Sequence, residues 1–385
     1  MTERLYEKDA YCREFDAVVI SCEEKNGAFW VALDRTAFFP EGGGQYADCG
    51  KIDETDVLDV QICDGVIVHK VAGEIQRGAT VKCTLDWELR FSRMQRHSGE
   101  HILSGLVHSL FGYNNVGFHM SEPEMTVAFD GVLSQADIEK VEKLVNLTVW
   151  KNLAITISYP SDDEAKEIEY RSKLDNIENL RLVTIEGTDC CACCAPHVLR
   201  TGEIGLVKII DATPNKGGTR LTVLAGYEAL NDYSALNRAN KHMMKILSVP
   251  RNDVSVAAER QTELISSLRY ENQELLKRVA WSELSPIRIN NCAVAFSEKL
   301  SYEELRHCAN MLSAEGAELC MLFSTDDNEN YIYVISSAER DTKPIVKALN
   351  ENFGGKGGGK PNYAQGKIVS DSKEKIIAFA EETLK

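Results

Sequence analysis

The sequence predicts an α+β protein built from several domains. We expect a small, β-rich, barrel-like domain at residues 1–88, an α+β domain at 89–226, a helical linker at 227–284 and an α/β domain at 285–385. The length of 385 residues suits about two to four domains. Strand-like segments crowd the N-terminal part, and strands alternate with helices near the C-terminus, which is typical of an α/β domain.

The composition indicates a cytoplasmic protein with sizeable hydrophobic cores. Hydrophobic residues make up 44% of the chain. No apolar stretch reaches the roughly 20 residues that cross a bilayer, and the charged N-terminus lacks the apolar core of a signal peptide. We therefore expect no membrane partner, and we interpret the 12 cysteines as reduced thiols or metal ligands rather than disulfides.

Four strand-like segments dominate the N-terminal domain. They lie at 15–21, 29–33, 66–71 and 80–85, and they are rich in β-branched and aromatic residues. Between the second and third lies the run Phe-Phe-Pro-Glu-Gly-Gly-Gly-Gln, which ends at Gln45. Three successive glycines permit positive φ and close backbone approach, in a flexible hairpin loop or in a shaped loop that reaches a pocket. The flanking aromatics and the amide favour the shaped loop, so Gln45 is a candidate substrate contact.

A helix with two histidines opens the second domain. Apolar periodicity predicts this helix over 95–110. His97 and His101 are four residues apart, so their imidazoles project from one helix face towards one point. Such a pair by itself is more often a surface or packing feature than a metal site.

A cysteine-rich run that ends at His197 offers a second pair with the same spacing. With the two helix histidines, Cys193 and His197 complete a nitrogen and sulfur tetrahedron of the kind that binds zinc. Two such pairs in one domain predict a zinc site far more strongly than either pair alone. The choice of thiol stays open, because Cys190, Cys191 and Cys194 lie in the same run.

The rest of the second domain alternates strands with short helices. A single strand-like stretch at 116–129 contains His119, and Ser134 is a fair N-cap for a helix through 147. Further strands are predicted at 155–159, 206–210 and 220–225. His119 and Arg220 are candidate substrate contacts, and the alternative for Arg220 is a salt bridge with a carboxylate.

Residues 227–283 are predicted to be helical, with Pro250 separating two helices because proline stops or restarts a helix. After the proline, apolar residues recur at steps of three and four in a short, imperfect heptad seam. They are Val254, Ala257, Leu264, Leu268 and Leu275. The seam fits an intramolecular helical hairpin and a homodimer contact equally well, and the C-terminal domain is a second candidate dimer surface.

A glycine–lysine run follows the strands and helices of the C-terminal domain. The strands are predicted at 292–296, 319–323 and 331–335, and the helices at 302–315 and 343–352. The run at 354–361 contains Lys356 and Lys360 but lacks the spacing of a nucleotide P-loop, so we expect no ATP site. It is either a mobile linker or a loop that meets RNA phosphates. The net charge of −16 argues against a generic basic nucleic-acid binder but not against such a local contact.

Four of these motifs together resemble one family. They are the Phe-Pro-Glu-Gly-Gly-Gly-Gln loop, the His-x-x-x-His helix, the Cys-x-x-x-His loop followed by Thr-Gly-Glu-Ile-Gly, and the glycine–lysine run. They occur in the same order in alanyl-tRNA synthetase, C-terminal to its aminoacylation core, which has no counterpart in this sequence. Over nearly its whole length the chain resembles a free-standing alanyl-tRNA editing protein of the AlaX family, in its long form with a tail domain.

The resemblance implies a trans-editing hydrolase that deacylates mischarged tRNA(Ala), chiefly Ser-tRNA(Ala) and secondarily Gly-tRNA(Ala). It implies zinc at four side chains, which are His97, His101, Cys193 and His197. The two helix histidines are also the candidate catalytic residues, and the C-terminal domain is expected to bind tRNA through Lys356 and Lys360. The synthetase has Cys-Gly-Gly-Thr-His where this chain has Cys-Cys-Ala-Pro-His, so a second thiol could compete for the metal.

The chemistry of an aminoacyl ester fits such a site. Zinc can polarise a carbonyl, lower the pKa of a bound water or orient the terminal adenosine, although four protein ligands leave no open position for water. Serine adds only a hydroxyl to alanine, and an apolar pocket discriminates against such a difference only about 100-fold. We therefore expect a side-chain donor or acceptor that faces the seryl oxygen.

Two other functions remain open from the residues. The helix motif also matches the His-x-x-Glu-His pattern of inverzincin peptidases, with Glu100 as the base. Helix geometry points Glu100 about 100° away from its neighbour His101, which favours a surface or outer role. The Cys193 and His197 pair argues against a peptidase, because it already completes the metal shell. The non-enzymatic alternative is an RNA-binding protein with a structural zinc.

Overall fold

The structure is a computed structural model that describes residues 2–25, 27–172, 180–325, 330–369 and 372–384. The chain divides into two units, residues 1–242 and 243–385. The predicted class, a mixed helix and strand protein of more than one domain, is confirmed. The finer division into four domains stays a prediction. In the described part of the chain, no helix is both long and apolar enough to cross a membrane.

Six strands near the N-terminus close into a barrel. The elements are β1 (Glu3–Arg4), α1 (Leu5–Lys8), β2 (Glu14–Lys25), β3 (Ala28–Leu33), β4 (Arg35–Thr36), β5 (Gly50–Ile52), β6 (Thr55–Cys63), β7 (Val66–Val71) and β8 (Thr80–Leu85). The barrel order is β2-β3-β7-β6-β5-β8, around a core that includes Val31, Ile52 and Val60. All four predicted strands are present. The sequence missed β5, which is very short, and β6, where the exposed Leu58 and Ile62 obscure the alternation of apolar and polar residues.

The next part of this unit holds two antiparallel sheets and two long helices. The elements are α2 (Trp87–Phe111), β9 (Asn115–Met120), β10 (Met125–Phe129), α3 (Gln135–Trp150), β11 (Ile155–Ser158), α4 (Asp162–Glu167), β12 (Leu182–Ile185), β13 (Asp189–Ala192), a 3-10 helix (Thr201–Ile204), β14 (Val207–Asn215) and β15 (Gly218–Ala225). The sheets have the orders β14-β15-β10-β9 and β11-β12-β13. Residues of both helices share one core with the sheets, including Ile102, Val141 and Val223.

Two predictions for these elements need correction. The stretch 116–129 is not one strand but the hairpin of β9 and β10, because Pro123 lacks the N–H needed to continue a strand and lies at the turn. Helix α2 starts at Trp87, before the predicted position 95. Its N-cap is Asp86, whose side chain accepts a hydrogen bond from Leu89 N at 3.1 Å. Ser134 caps α3 as predicted, within a capping box.

Two helices follow the sheets. They are α5 (Tyr227–Leu247) and α6 (Val254–Glu283), with a short 3-10 helix (Arg251–Asp253) between them. Pro250 lies between α5 and α6, which confirms the predicted break.

The second unit contains a six-stranded mixed sheet with both faces covered. Its elements after α6 are β16 (Ile287–Ile289), β17 (Cys292–Glu298), α7 (Tyr302–Ala314), β18 (Leu319–Thr325), β19 (Tyr331–Ser337), α8 (Lys343–Asn352), β20 (Lys356–Lys360), β21 (Tyr363–Ile368) and α9 (Lys373–Thr383). The order is β16-β17-β18-β19-β21-β20. Alternate residues of β17 enter two cores: Val294 packs in the core that includes α8 and α9, and Ala293 in the core that includes α7.

The glycine–lysine run was predicted to be a linker or loop, and this is wrong. Its central residues form the edge strand β20, which pairs antiparallel with β21. Glycine permits this close packing, because a Cβ on Gly357 would lie 2.1 Å from the Tyr333 hydroxyl oxygen. Lys356 and Lys360 are the two ends of the strand, and both are exposed.

Candidate metal centre

The structure brings the four predicted ligands together in one buried group. One ligand atom from each of His97, His101, Cys193 and His197 lies within 4.8 Å of the other three. The Cys193 Sγ is 3.5 Å from His97 Nε2 and 3.3 Å from His197 Nε2. The three histidines are at most 3% exposed. Residues distant in sequence therefore present three imidazole nitrogens and one sulfur to a common point.

Different elements position the two halves of this group. His97 and His101 lie on the buried face of α2, where their spacing of one helical turn aligns them. Cys193 and His197 lie in an irregular loop after β13. The buried Arg181 holds that loop, since its Nη1 donates to Cys193 O at 2.6 Å and to Ala195 O at 3.1 Å.

Each imidazole has a hydrogen-bond partner outside the group. His97 Nδ1 is 2.9 Å from Gln45 Oε1, His101 Nδ1 is 3.0 Å from Asp189 Oδ2, and His197 Nδ1 is 3.0 Å from Ser98 Oγ. Such a partner fixes the tautomer and the ring orientation of a metal-binding histidine. The three Nδ1 atoms are therefore hydrogen-bonded to residues outside the group, and the three Nε2 atoms are available to bind a metal.

The electrostatics favour a thiolate surrounded by imidazoles. Burial alone would raise the pKa of the Cys193 thiol, but the three neighbouring imidazoles outweigh burial and hold this pKa well below its ordinary value. Burial opposes a proton on His101, yet hydrogen bonds to Asp189 and Cys193 raise the pKa of this imidazole well above its ordinary value. Burial lowers the pKa of His197 to about 3 and keeps it neutral. A divalent cation would replace the proton on His101.

These donors fit zinc better than a hard cation. Three imidazole nitrogens and a thiolate are donors that zinc accepts, whereas calcium and magnesium prefer oxygen ligands. The other thiols of the run lie elsewhere: Cys190 Sγ is 3.4 Å from Thr184 Oγ1, and Cys191 groups with His101 and Asp189. Cys194 is exposed and approaches the glycine loop at Gly43.

The glycine-rich loop carries Gln45 to the histidines. Gly42 and Gln45 exchange two backbone hydrogen bonds of 3.0 and 3.1 Å, and the turn between them needs the positive φ of its glycines. A side chain on Gly44 would clash with Phe118. Behind the loop, the buried Arg90 of α2 pairs with Asp48. The helix that carries the histidines therefore also anchors the loop that carries Gln45.

The other predicted contact residues lie at the edge of this site or away from it. His119 on β9 is exposed, and its Nε2 is 3.3 Å from the hydroxyl oxygen of Tyr46, the residue after Gln45. Arg220 is exposed on β15, and its Nη2 donates to Asn215 Oδ1 at 3.1 Å instead of to a carboxylate. Lys356 and Lys360 belong to the second unit.

Glu100 does not lie at the surface, which is one of the two roles that helix geometry favours for it. It is 5% exposed, and one carboxylate oxygen accepts hydrogen bonds from Ser104 Oγ and Asn115 Nδ2. The surface role is therefore wrong, because β9 covers this side of α2, and the outer role stays a prediction.

Sequence reasoning missed the residues that support the histidines. Asp189 accepts from His101, and Arg171 binds the same carboxylate with Nε at 2.7 Å and Nη2 at 2.9 Å. Ser98 contacts His197 across 99 residues of chain. Asp189 is the first residue of the cysteine-rich run, and Ser98 lies between the two helix histidines. Their closeness in sequence to the candidate ligands was the signal that could have identified them.

Comparisons with known proteins agree with the order of the motifs. A family model for class II (A) tRNA synthetases matches residues 12–89, one for the second additional domain of threonyl- and alanyl-tRNA synthetases matches 180–222, and one for the DHHA1 domain matches 290–385. These segments include the glycine-rich loop, the Cys193–His197 loop and strands β17 to β21 of the second unit.

Similar proteins cover nearly the whole chain. The alanyl-tRNA editing protein AlaX-L of Pyrococcus horikoshii is 29% identical over 97% of this chain and 96% of its own length, and Aarsd1 of Danio rerio is 27% identical over 94% and 93%. The alanine–tRNA ligase of Methanococcus vannielii is 30% identical, but the chain spans 44% of that ligase. With matched segments in the same order and similarity over nearly its whole length, the chain is similar to the alanyl-tRNA editing proteins.

Proposed function

We propose that this chain is an aminoacyl-tRNA deacylase that hydrolyses the ester of mischarged tRNA(Ala), with zinc as cofactor. The buried group of three histidines and Cys193 is the observation that carries the proposal. When bound, zinc supplies Lewis-acid polarisation of the ester carbonyl or holds the terminal adenosine. His97 and His101 contribute as ligands, since hydrogen bonds already engage their outer nitrogens.

Ser-tRNA(Ala) is the proposed principal substrate and Gly-tRNA(Ala) the second. The rim of the site offers aromatic rings to the terminal nucleotides. His119 and Tyr46 form an edge-to-face pair there, with ring centroids 5.7 Å apart. Unstacked RNA bases bind such aromatic surfaces. We place Arg220 farther out, as a contact to the RNA backbone.

A His-x-x-Glu-His peptidase fits this site less well. Its base would be Glu100, but a carboxylate oxygen of Glu100 accepts two hydrogen bonds from neighbouring side chains. The third and fourth members of the group are Cys193 and His197 rather than a carboxylate. The deacylase is therefore the better assignment.

The test combines turnover with metal content. We expect the purified protein to hydrolyse Ser-tRNA(Ala) faster than Ala-tRNA(Ala) and to bind about one zinc per chain, as a four-ligand site requires. His101→Ala should lose both the zinc and the deacylation, because it removes a ligand. The exposed His242→Ala is the matched control and should retain both.

Two results would contradict the proposal. Equal hydrolysis of Ser-tRNA(Ala) and Ala-tRNA(Ala) would exclude an editing enzyme. Bound zinc with tRNA binding but without turnover would indicate an RNA-binding protein with a structural zinc.

We further propose that the second unit binds tRNA beside β20. A cleft of about 370 Å³ lies between this strand and α8, lined by Lys343, Lys347 and Gly357 among others. Lys356 and Lys360 end the same strand. The glycines let a phosphate approach the backbone, and the lysines supply positive charge.

Removing two of these charges should weaken binding in a salt-dependent way. Lys356→Ala with Lys360→Ala should lower tRNA affinity and reduce the slope of log affinity against log salt by about 1.4 to 1.8, because two fewer counterions are released. Filter binding over a salt series measures the slope. Lys373→Ala with Lys375→Ala removes equal charge from α9 as the control. An unchanged slope in the β20 variant would assign the strand another role.

A further inference from the structure

Gln45 has a buried hydrogen-bond donor without an acceptor. Its side chain is 1% exposed. Among the residues that the structure describes, no acceptor lies within hydrogen-bond distance of its Nε2 amide. Burying an amide without a partner costs free energy, so an unsatisfied donor in a native protein calls for a physical explanation.

The orientation of this amide follows from its histidine neighbour. His97 directs Nε2 towards Cys193 Sγ at 3.5 Å, so its proton resides on Nδ1 when Nε2 binds a metal. That Nδ1–H needs an acceptor, and of the two amide atoms of Gln45 only the oxygen, Oε1, can accept; it lies 2.9 Å away. The Nε2 amide therefore faces away from His97 and has two N–H groups for another acceptor.

The loop holds this donor rigidly. Paired backbone hydrogen bonds close the turn from Gly42 to Gln45, and Met120 N donates to Gly44 O at 3.0 Å. Arg90 and Asp48 anchor the chain beyond the loop, with Nε 2.9 Å from Oδ1. A donor fixed in advance is the kind that stabilises developing charge, since it need not reorganise during the reaction.

We propose that the Gln45 amide donates to the carbonyl oxygen of the aminoacyl ester and stabilises the negative charge that develops there. In the hydrolysis, the carbonyl carbon gains a bond to the water oxygen, and its bond to the ribose oxygen breaks. A proton from the water ends on that ribose oxygen, and the free amino acid leaves. Gln45 thus has two functions, because Oε1 positions His97 while Nε2 contacts the substrate. The inference rests on the proposed deacylase function.

Gln45→Glu separates these two functions. Glutamate keeps an oxygen acceptor for His97, as Asp189 does for His101, but it loses the donor. We expect bound zinc to match that of the unchanged protein, while kcat falls by about 100-fold or more, as for loss of an oxyanion donor, with little change in KM. Gln45→Met, which lacks both donor and acceptor, should lose zinc affinity as well.

Comparing two substrates identifies the oxygen that is bound. A contact to the ester carbonyl predicts that Gln45→Glu slows Ser-tRNA(Ala) and Gly-tRNA(Ala) by the same factor. If Gln45→Glu slows deacylation of Ser-tRNA(Ala) alone, the contact to the ester carbonyl is refuted. Gln45 would then bind the seryl hydroxyl, which glycine lacks. Loss of zinc in the Glu variant would also overturn it, by showing that Gln45 acts only through His97.

If Gln45→Glu retains nearly the activity of the unchanged protein, the donor role of Gln45 is refuted, but the proposed deacylase function is not. If the unchanged protein deacylates neither Ser-tRNA(Ala) nor Gly-tRNA(Ala), both the proposed function and this inference are refuted. The two failures are therefore distinguishable in one experiment.

Discussion

At the scale of single residues, the centre depends on side chains that touch the four candidate ligands. Asp189 is the clearest case, because its buried carboxylate accepts from His101 and also binds Arg171. Burial would raise the pKa of Asp189, but hydrogen bonds from His101 and Arg171 outweigh burial and hold this pKa below its ordinary value. Asp189 therefore remains a carboxylate and acts as a positioning residue for His101.

Asp189→Asn should weaken zinc binding. The amide keeps an oxygen near His101 but loses the charge that balances Arg171 and makes the imidazole a stronger ligand. We expect zinc affinity to fall by about 10- to 100-fold, as for other outer partners of metal-binding histidines. Competition with a chromophoric chelator measures this affinity. Asp163→Asn, at a side chain that is 94% exposed, is the control; equal affinities in both variants would remove Asp189 from the site.

At the scale of elements, the barrel contains a buried histidine that the proposed function does not use. His69 on β7 is fully buried; one ring nitrogen is 2.9 Å from Val31 O and the other 2.9 Å from Thr36 Oγ1. Burial lowers the pKa of His69 to about 4. Its ordinary pKa of 6.5 applies to the unfolded chain, so between pH 6.5 and about 4 the unfolded state binds the extra proton.

The barrel should consequently lose stability on acidification. Protonation of His69 in the unfolded chain lowers the free energy of unfolding by up to about 3 kcal/mol as the pH falls from 6.5 to 4, and this group contributes no slope above that window. Urea titrations between pH 7.5 and 4.5 should show a smaller loss for His69→Gln than for the unchanged protein. The exposed His242→Gln should behave like the unchanged protein. Parallel profiles for all three would show that His69 does not titrate as expected.

At the scale of the whole molecule, α6 carries an exposed apolar stripe. Leu264, Leu268 and Leu275 are 51%, 53% and 47% exposed. These residues form the predicted heptad seam. Exposed leucines at this spacing are typical of a helix that pairs with another. We therefore propose that α6 pairs with a second copy of the chain.

Charge in the seam should prevent this association. We expect the unchanged protein to be a dimer by light scattering and Leu264→Glu with Leu268→Glu to be a monomer, because like charges would face each other across the seam. Gln273→Glu is the control, because Gln273 lies about two and a half turns from Leu264 and therefore on the opposite face of the same helix. A monomeric unchanged protein would contradict the proposal.

Much of the molecule follows from local sequence signals. Pro250 ends a helix, Ser134 caps one, and the spacing of His97 and His101 places both rings on one face, because chain geometry within a few residues sets these features. The four ordered motifs were sufficient to indicate the family. They also grouped the four side chains that the structure brings together.

Tertiary packing decided the rest. The sequence left the choice of thiol open, and the fold of the loop directs Cys193 rather than Cys194 towards the histidines. Glu100 is buried only because β9 covers it, and the glycine–lysine run becomes a strand only because β21 offers it a partner. Asp189 meets His101 across 88 residues of chain. Periodicity reports on near neighbours, whereas contacts at such separations exist only once the sheets and helices have packed.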